Sequence, residues 1–222
     1  MLSPARRHRM RVQAETESQR DANPLRHATG YEQMLVKLNE DKRRLKKVHS
    51  VERKAELKRQ LLPDYLPWIA GVMNSGRGAQ DAIVMTVMIW RLDSGDVTGA
   101  LEIARYALTH GLVPPDGFKR DSLPYLLAEE VASAATRAWT AKEAVDIAPL
   151  LETIRLTDAE DMPDQVRAKL HKIAGYVYRD SGGTLEAMHH LKRALQLNEG
   201  CGVKKDIERL ATAMKKQAQA SR

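Results

Sequence analysis

Apolar residues recur along this chain at helical spacing, and nowhere with the strict alternation that marks a half-buried strand. From Tyr31 a seven-residue pattern sets in. Tyr31, Leu38, Leu45, Glu52 and Arg59 occupy one position; Met34, Asp41, Val48, Ala55 and Leu62 occupy the other, in alternating steps of three and four. Such spacing predicts one long helix with a usable packing seam, ended by Pro63 and Pro67. Beyond the prolines the pattern predicts helices near 79–93, 97–110, 123–139, 141–154, 163–179, 184–198 and 203–219. Their separators, "DSGD", "HGLVPPDG", "DMPD", "RDSGG" and "NEGCG", are rich in turn formers and caps. Residues 1–29 mix Arg, Gln, Ser and Pro with little apolar periodicity, which predicts a flexible basic arm. The expected architecture is all-α: arm 1–29, long basic helix 30–62, a core of helical hairpins over 63–200, and a C-terminal helix and tail over 201–222.

An internal echo sharpens the hairpin reading. "DSGDVTGALEIARYAL" (93–108) aligns without gaps on "DSGGTLEAMHHLKRAL" (180–195). Each copy is a turn followed by a helix whose small Ala residues, seven apart, let a preceding helix approach closely. This is partly like the second helix of a tetratricopeptide hairpin, although two copies do not make a regular array.

Charge changes the picture at one end of the chain. Residues 1–60 hold 16 Lys and Arg against 8 Asp and Glu, whereas the remaining residues hold 20 against 21. So concentrated an excess points to nucleic acid or an anionic surface. Arg6, Arg7, Arg9 and Arg11 form a first basic cluster. On one continuous helix Arg43, Lys46, Lys47, Arg53 and Lys54 would share the face opposite the seam, over a rise of about 16 Å. These nine residues are the candidate DNA contacts. No apolar run approaches the roughly 20 residues needed to span a bilayer, and the single cysteine, Cys201, fits a reducing cytoplasm.

Catalytic and metal constellations do not emerge from the pattern. His189 and His190 are adjacent and diverge by about 100° on a helix, so they make a poor metal pair. The acidic run "TDAEDMPD" (157–164) is explained by helix capping around Pro163. There is no phosphate-binding loop of the Walker type. No cofactor is expected. Trp68, Trp90 and Trp139 sit among apolar neighbours and are expected in the core.

Three stretches together carry a resemblance: "PLRHATGYEQMLVKL" (24–38), "LLPDYLPWIAGVMNSGRGAQDAIVMTVMIWRLDSGDVTGALEIARYAL" (61–108) and "DMPDQVRAKLHKIAG" (161–175). With "RHRMRV" and "GVKKDIERL" at the two ends, the chain resembles the small terminase subunit of Peduovirus-type temperate tailed phages. The resemblance implies work in the host cytoplasm. There such subunits recognise the packaging, or cohesive-end, site of concatemeric double-stranded DNA. They recruit the large subunit, which carries the ATPase, and commonly assemble as homo-oligomeric rings. It also tips the seam residues Leu38, Leu45 and Val48 towards contact with a neighbouring protomer. The family is often labelled the terminase endonuclease subunit, yet no nuclease or ATPase constellation is visible here. Cutting is therefore expected in the large subunit, with recognition and stimulation left to this chain. The alternatives are an endonuclease that itself cuts the site, and a helical-repeat interaction scaffold.

Overall fold

The computed structural model describes residues 3–18, 29–76, 78–115 and 122–220, and among these every regular element is helical. Two compact units divide the chain, Met1–Leu123 and Pro124–Arg222.

The first unit contains α1 (Pro4–Ser18), α2 (Thr29–Lys46), α3 (Val51–Leu61), a short 3-10 turn, α4 (Leu66–Ser75), α5 (Ala82–Ser94) and α6 (Val97–Thr109). Helix α5 is its centre. From Ile83 to Trp90 every residue is buried, so this helix is apolar all round and needs neighbours on every side. Asp81 starts it, accepting from the backbone N–H groups of Ile83 and Val84 at 2.7 and 3.1 Å and from the Trp68 indole at 2.9 Å. One carboxylate thereby caps α5 and ties it to α4.

Residues 4–18, expected within a flexible arm, instead form a docked helix. Helix α1 lies on α4 with Met10 and Ala14 buried. The crossing is very close: a Cβ on Gly71 would fall 2.5 Å from the Arg11 carbonyl oxygen and 2.6 Å from the Ala14 Cβ. Residues 19–28 of the expected arm lie outside the described residues.

The long helix expected over 30–62 is broken as well. Helix α2 stops at Lys46 and α3 restarts at Val51, after Ser50, whose hydroxyl accepts the Arg53 N–H at 3.3 Å. Serine at that point favours a new N-terminus over continuation, and the seam turns polar there, at Glu52 and later at Arg59.

The second unit contains α7 (Leu123–Thr140), α8 (Ile147–Thr157), α9 (Asp164–Asp180), α10 (Thr184–Leu197) and α11 (Lys204–Ala220). Helix α8 begins six residues later than its expected 141, because Lys142 takes the left-handed conformation (φ 61°) that closes α7 and Asp146 supplies the next cap. Trp139, expected in the core, is half-buried, stacked on Tyr176 with centroids 4.8 Å apart and donating to Asp180 at 2.7 Å.

The echo proves to be the same hairpin device, once in each unit. Gly95 and Gly182 turn at φ 89° and 87°, and the alanines seven apart, Ala100 and Ala107, Ala187 and Ala194, are fully buried. Helix α6 packs on α5, and α10 packs on α9.

Candidate nucleic-acid interface

The basic residues near the N-terminus divide into those the fold uses and those it leaves to solvent. Lys37 and Arg44 reach Asp41 at 2.6 and 3.1 Å, and Lys37 also meets Asp64 at 3.2 Å. Asp41, nominally a seam position, is buried and accepts the Tyr65 hydroxyl at 2.8 Å. Burial alone would raise its pKa, but the bonds from Lys37, Tyr65 and Arg44 together hold it below the usual carboxylate range. At the other end of α3, Lys58 pairs with Asp93 and Arg59 donates to the Ser94 carbonyl at 3.0 Å. Both partners are the last two residues of α5, so the C-terminal half of α3 is fastened to the end of that helix.

Arg43, Lys46, Lys47, Arg53 and Lys54 are left over. None makes an ion pair with a described residue; the first four are exposed and Lys54 is partly so. Because the helix breaks, they do not form one straight stripe. They gather instead at the α2–α3 corner, three over the last turn and end of α2 and two over the first turn of α3. Cations suit the C-terminal end of α2, where the helix dipole is negative, but Arg53 and Lys54 sit at the positive end of α3. The fold gains nothing from them there. Positive charge is crowded at this corner, and Lys42 registers it: its pKa is lowered, by burial first and by Lys46 second.

Arg6, Arg7, Arg9 and Arg11 are all exposed on α1, with Arg11 loosely paired to Glu15 at 3.9 Å. Being two residues apart, Arg9 and Arg11 point about 200° from each other, so these four surround the helix rather than line one edge of it.

The expected seam is occupied by the chain itself. Leu38 is 1% exposed and Leu45 7% within the single chain, and Val48 is partly covered. With Asp41 satisfied by Tyr65, this edge of α2 is part of the first unit's own core.

Helix α9 carries a feature that the sequence reading passed over. His171 and His190 face each other with their Nδ1 atoms 2.9 Å apart, 7% and 8% exposed, with Tyr178 stacked on His190. Both fall on helix faces otherwise filled by apolar residues, which is the signal a facing-helix reading could have used. His189 is exposed, with its ring edge-on to His190 at a centroid distance of 5.2 Å. The acidic run 157–164 is organised by Arg167, whose guanidinium donates to the carbonyls of Thr157, Asp158 and Glu160 at 3.1, 3.3 and 2.7 Å. No side chain caps α9, so the capping expected around Pro163 is replaced by this arginine clamp. Among the described residues no three His, Cys, Asp or Glu side chains are grouped so as to hold a metal ion. No described helix is long and apolar enough to cross a membrane.

Comparison with known proteins gives one family. The family described as "Phage small terminase subunit" matches residues 35–165. The chain is similar to the "Terminase, endonuclease subunit" of Escherichia phage P2, at 59% identity over 97% of this chain and 87% of that protein. It is also similar to the "Probable terminase, endonuclease subunit" of Haemophilus phage HP1 (strain HP1c1), at 23% identity over 82% of this chain and 70% of that protein. No solved structure matches it.

Proposed function

Because this chain belongs to the phage small terminase subunit family, we propose that it is the DNA-recognition subunit of a two-subunit terminase. In this reading it works in the host cytoplasm, binding the cohesive-end site of concatemeric phage DNA and recruiting the ATP-hydrolysing large subunit for cutting and packaging. The observation that supports it most is the α2–α3 corner. Five cations are gathered there with no ion pair to a described residue, two of them at the helix end where the dipole opposes them. Backbone phosphates would offset that electrostatic cost, and a protein that binds DNA this way releases counterions.

The test is a salt titration of duplex binding. Replacing Arg43, Lys46, Lys47, Arg53 and Lys54 by Gln should lower the slope of log affinity against log salt by up to about 4.5, roughly 0.9 per lost phosphate contact. Helix content should hold, since Gln is a good helix former. An unchanged slope would remove the corner as the footprint.

A second reading, that the chain itself cuts, is favoured by the names of both relatives, each a terminase endonuclease subunit. Purified chain incubated with site DNA and Mg²⁺ alone separates the two. Cleavage there, lost on changing named carboxylates, would replace the adaptor reading.

A further inference from the structure

The second unit carries its own cationic face, and no part of the recognition reading above uses it. Helix α11 holds Lys204, Lys205, Arg209, Lys215 and Lys216 against Asp206 and Glu208, and it sorts them. Val203 and Leu210, on one side, are buried on Ala187 and Leu191, with Ile207 packed beside them. Asp206 turns inward, accepting the Tyr176 hydroxyl at 3.2 Å and meeting Arg179 at 3.5 Å. The Lys172 ammonium donates to the Cys201 carbonyl at 2.6 Å and fixes the approach to the helix. Opposite the apolar side, Lys205, Arg209, Thr212 and Lys216 follow one another at spacings of four, three and four, all exposed. They border an open hollow of about 540 Å³. Lys192 and Lys204 border a second one of about 550 Å³ between α10 and α11.

Glu208 borders the first hollow and Glu199 the second, and neither makes an ion pair with a described residue. Lys192, Lys204, Lys205, Arg209 and Lys216 make no ion pair with a described residue, and Glu208 is the one acid among the residues bordering the α11 hollow. From Lys205 to Lys216 the helix rises about 16 Å, enough to follow several nucleotides of a duplex strand at about 3.4 Å each. Beneath it the buried Val203 and Leu210 seat the helix on α10.

We infer that the outward face of α11 is a second phosphate-binding surface, for the backbone of duplex DNA, so that each of the chain's two units grips the same kind of polymer. The inference rests on the DNA-binding reading of the first unit. Thr212, whose hydroxyl donates to the Glu208 carbonyl at 2.9 Å, keeps the stretch between Arg209 and Lys216 free of negative charge. The contact carries no sequence information. It would strengthen binding to site and non-site duplex alike.

The experiment uses the full chain, a cohesive-end duplex and a scrambled duplex of equal length, each titrated with salt by fluorescence anisotropy. Three variants are compared with the wild type: Lys205→Gln/Arg209→Gln/Lys216→Gln, the five-residue corner variant, and the two combined. The α11 variant should lower the salt slope by about 2.7 on both duplexes, the combined variant should add the two losses, and circular dichroism should stay unchanged. A wild-type slope in the α11 variant, beside a reduced slope in the corner variant, overturns the inference and leaves the DNA reading standing. So does an unchanged slope with loss of large-subunit binding, which would assign the face to a protein. Absence of duplex binding by the wild type overturns both.

Discussion

His171 and His190 can share only one hydrogen across their 2.9 Å contact, so one Nδ1 must donate and the other accept, with both rings neutral. Burial pushes each pKa down to about 4; for His171 the nearby His190, Arg193, His189 and Arg167 add to it, and for His190 the neighbouring His189 does. The ordinary value is 6.5, so between pH 6.5 and 4 the unfolded chain takes up protons that the folded chain refuses. Stability contributed by the pair is therefore complete above about 6.5 and is lost as pH falls towards 4. The melting temperature should drop over that interval, and His171→Gln should flatten the drop. An equal slope in the variant would place the pH sensitivity elsewhere. Asp81 is a second residue on which much depends, through its two backbone bonds and the Trp68 indole. Asp81→Ala removes a cap worth about 1 kcal/mol and strands a buried N–H at a further cost of about 1–3 kcal/mol. Urea unfolding should show a loss of that combined size, and a change within a few tenths would mean that α5 does not need its cap.

Helix α1 is held at Gly71, where the α4 backbone meets Arg11 and Ala14 with no room for a side chain. Gly71→Val should lever α1 off, and trypsin should then cut early within residues 6–11 while the α9–α10 hairpin stays resistant. Wild-type resistance at those arginines would show that α1 tolerates a wider crossing. The same contact explains why α1 was not legible as a packed element. Its buried side consists of Met10 and Ala14, and its counterpart is a glycine, so nothing in the hydrophobic pattern announces the contact. The helices of the second half were legible to within a few residues because their separators carry ordinary turn chemistry, as Gly95 and Gly182 do. Where a residue acted against type the boundary moved. Lys142 closes α7 in a conformation that glycine usually fills, and Ser50 opens α3 from inside a basic run that reads as continuous.

Across the whole molecule, local sequence could identify which cations exist but not which are free. Asp93 and Ser94 lie 35 residues beyond the lysine and arginine they bind, and Tyr65 lies 24 beyond Asp41; only folding showed that Lys58, Arg59, Lys37 and Arg44 are engaged and that the corner five make no ion pair with a described residue. The seam raises a related question. A heptad pattern specifies an apolar edge without saying whose surface covers it, and here α2 faces α1 and α5 of its own unit. Leu45→Lys distinguishes the two arrangements. A lysine buried at a site 7% exposed gains little from Asp41, which already holds Lys37, Tyr65 and Arg44, and an unpaired buried charge is strongly destabilising. Residue-resolved hydrogen exchange should therefore show α2 through α6 losing protection, while α9 and α10, in the other compact unit, keep theirs. If α2 to α6 stayed protected and light scattering showed only a fall in oligomer mass, the leucine would be working between protomers after all. Collapse of protection confined to the first unit would place the Leu38–Leu45 edge in that unit's own core, so that any contact between protomers would use other surfaces.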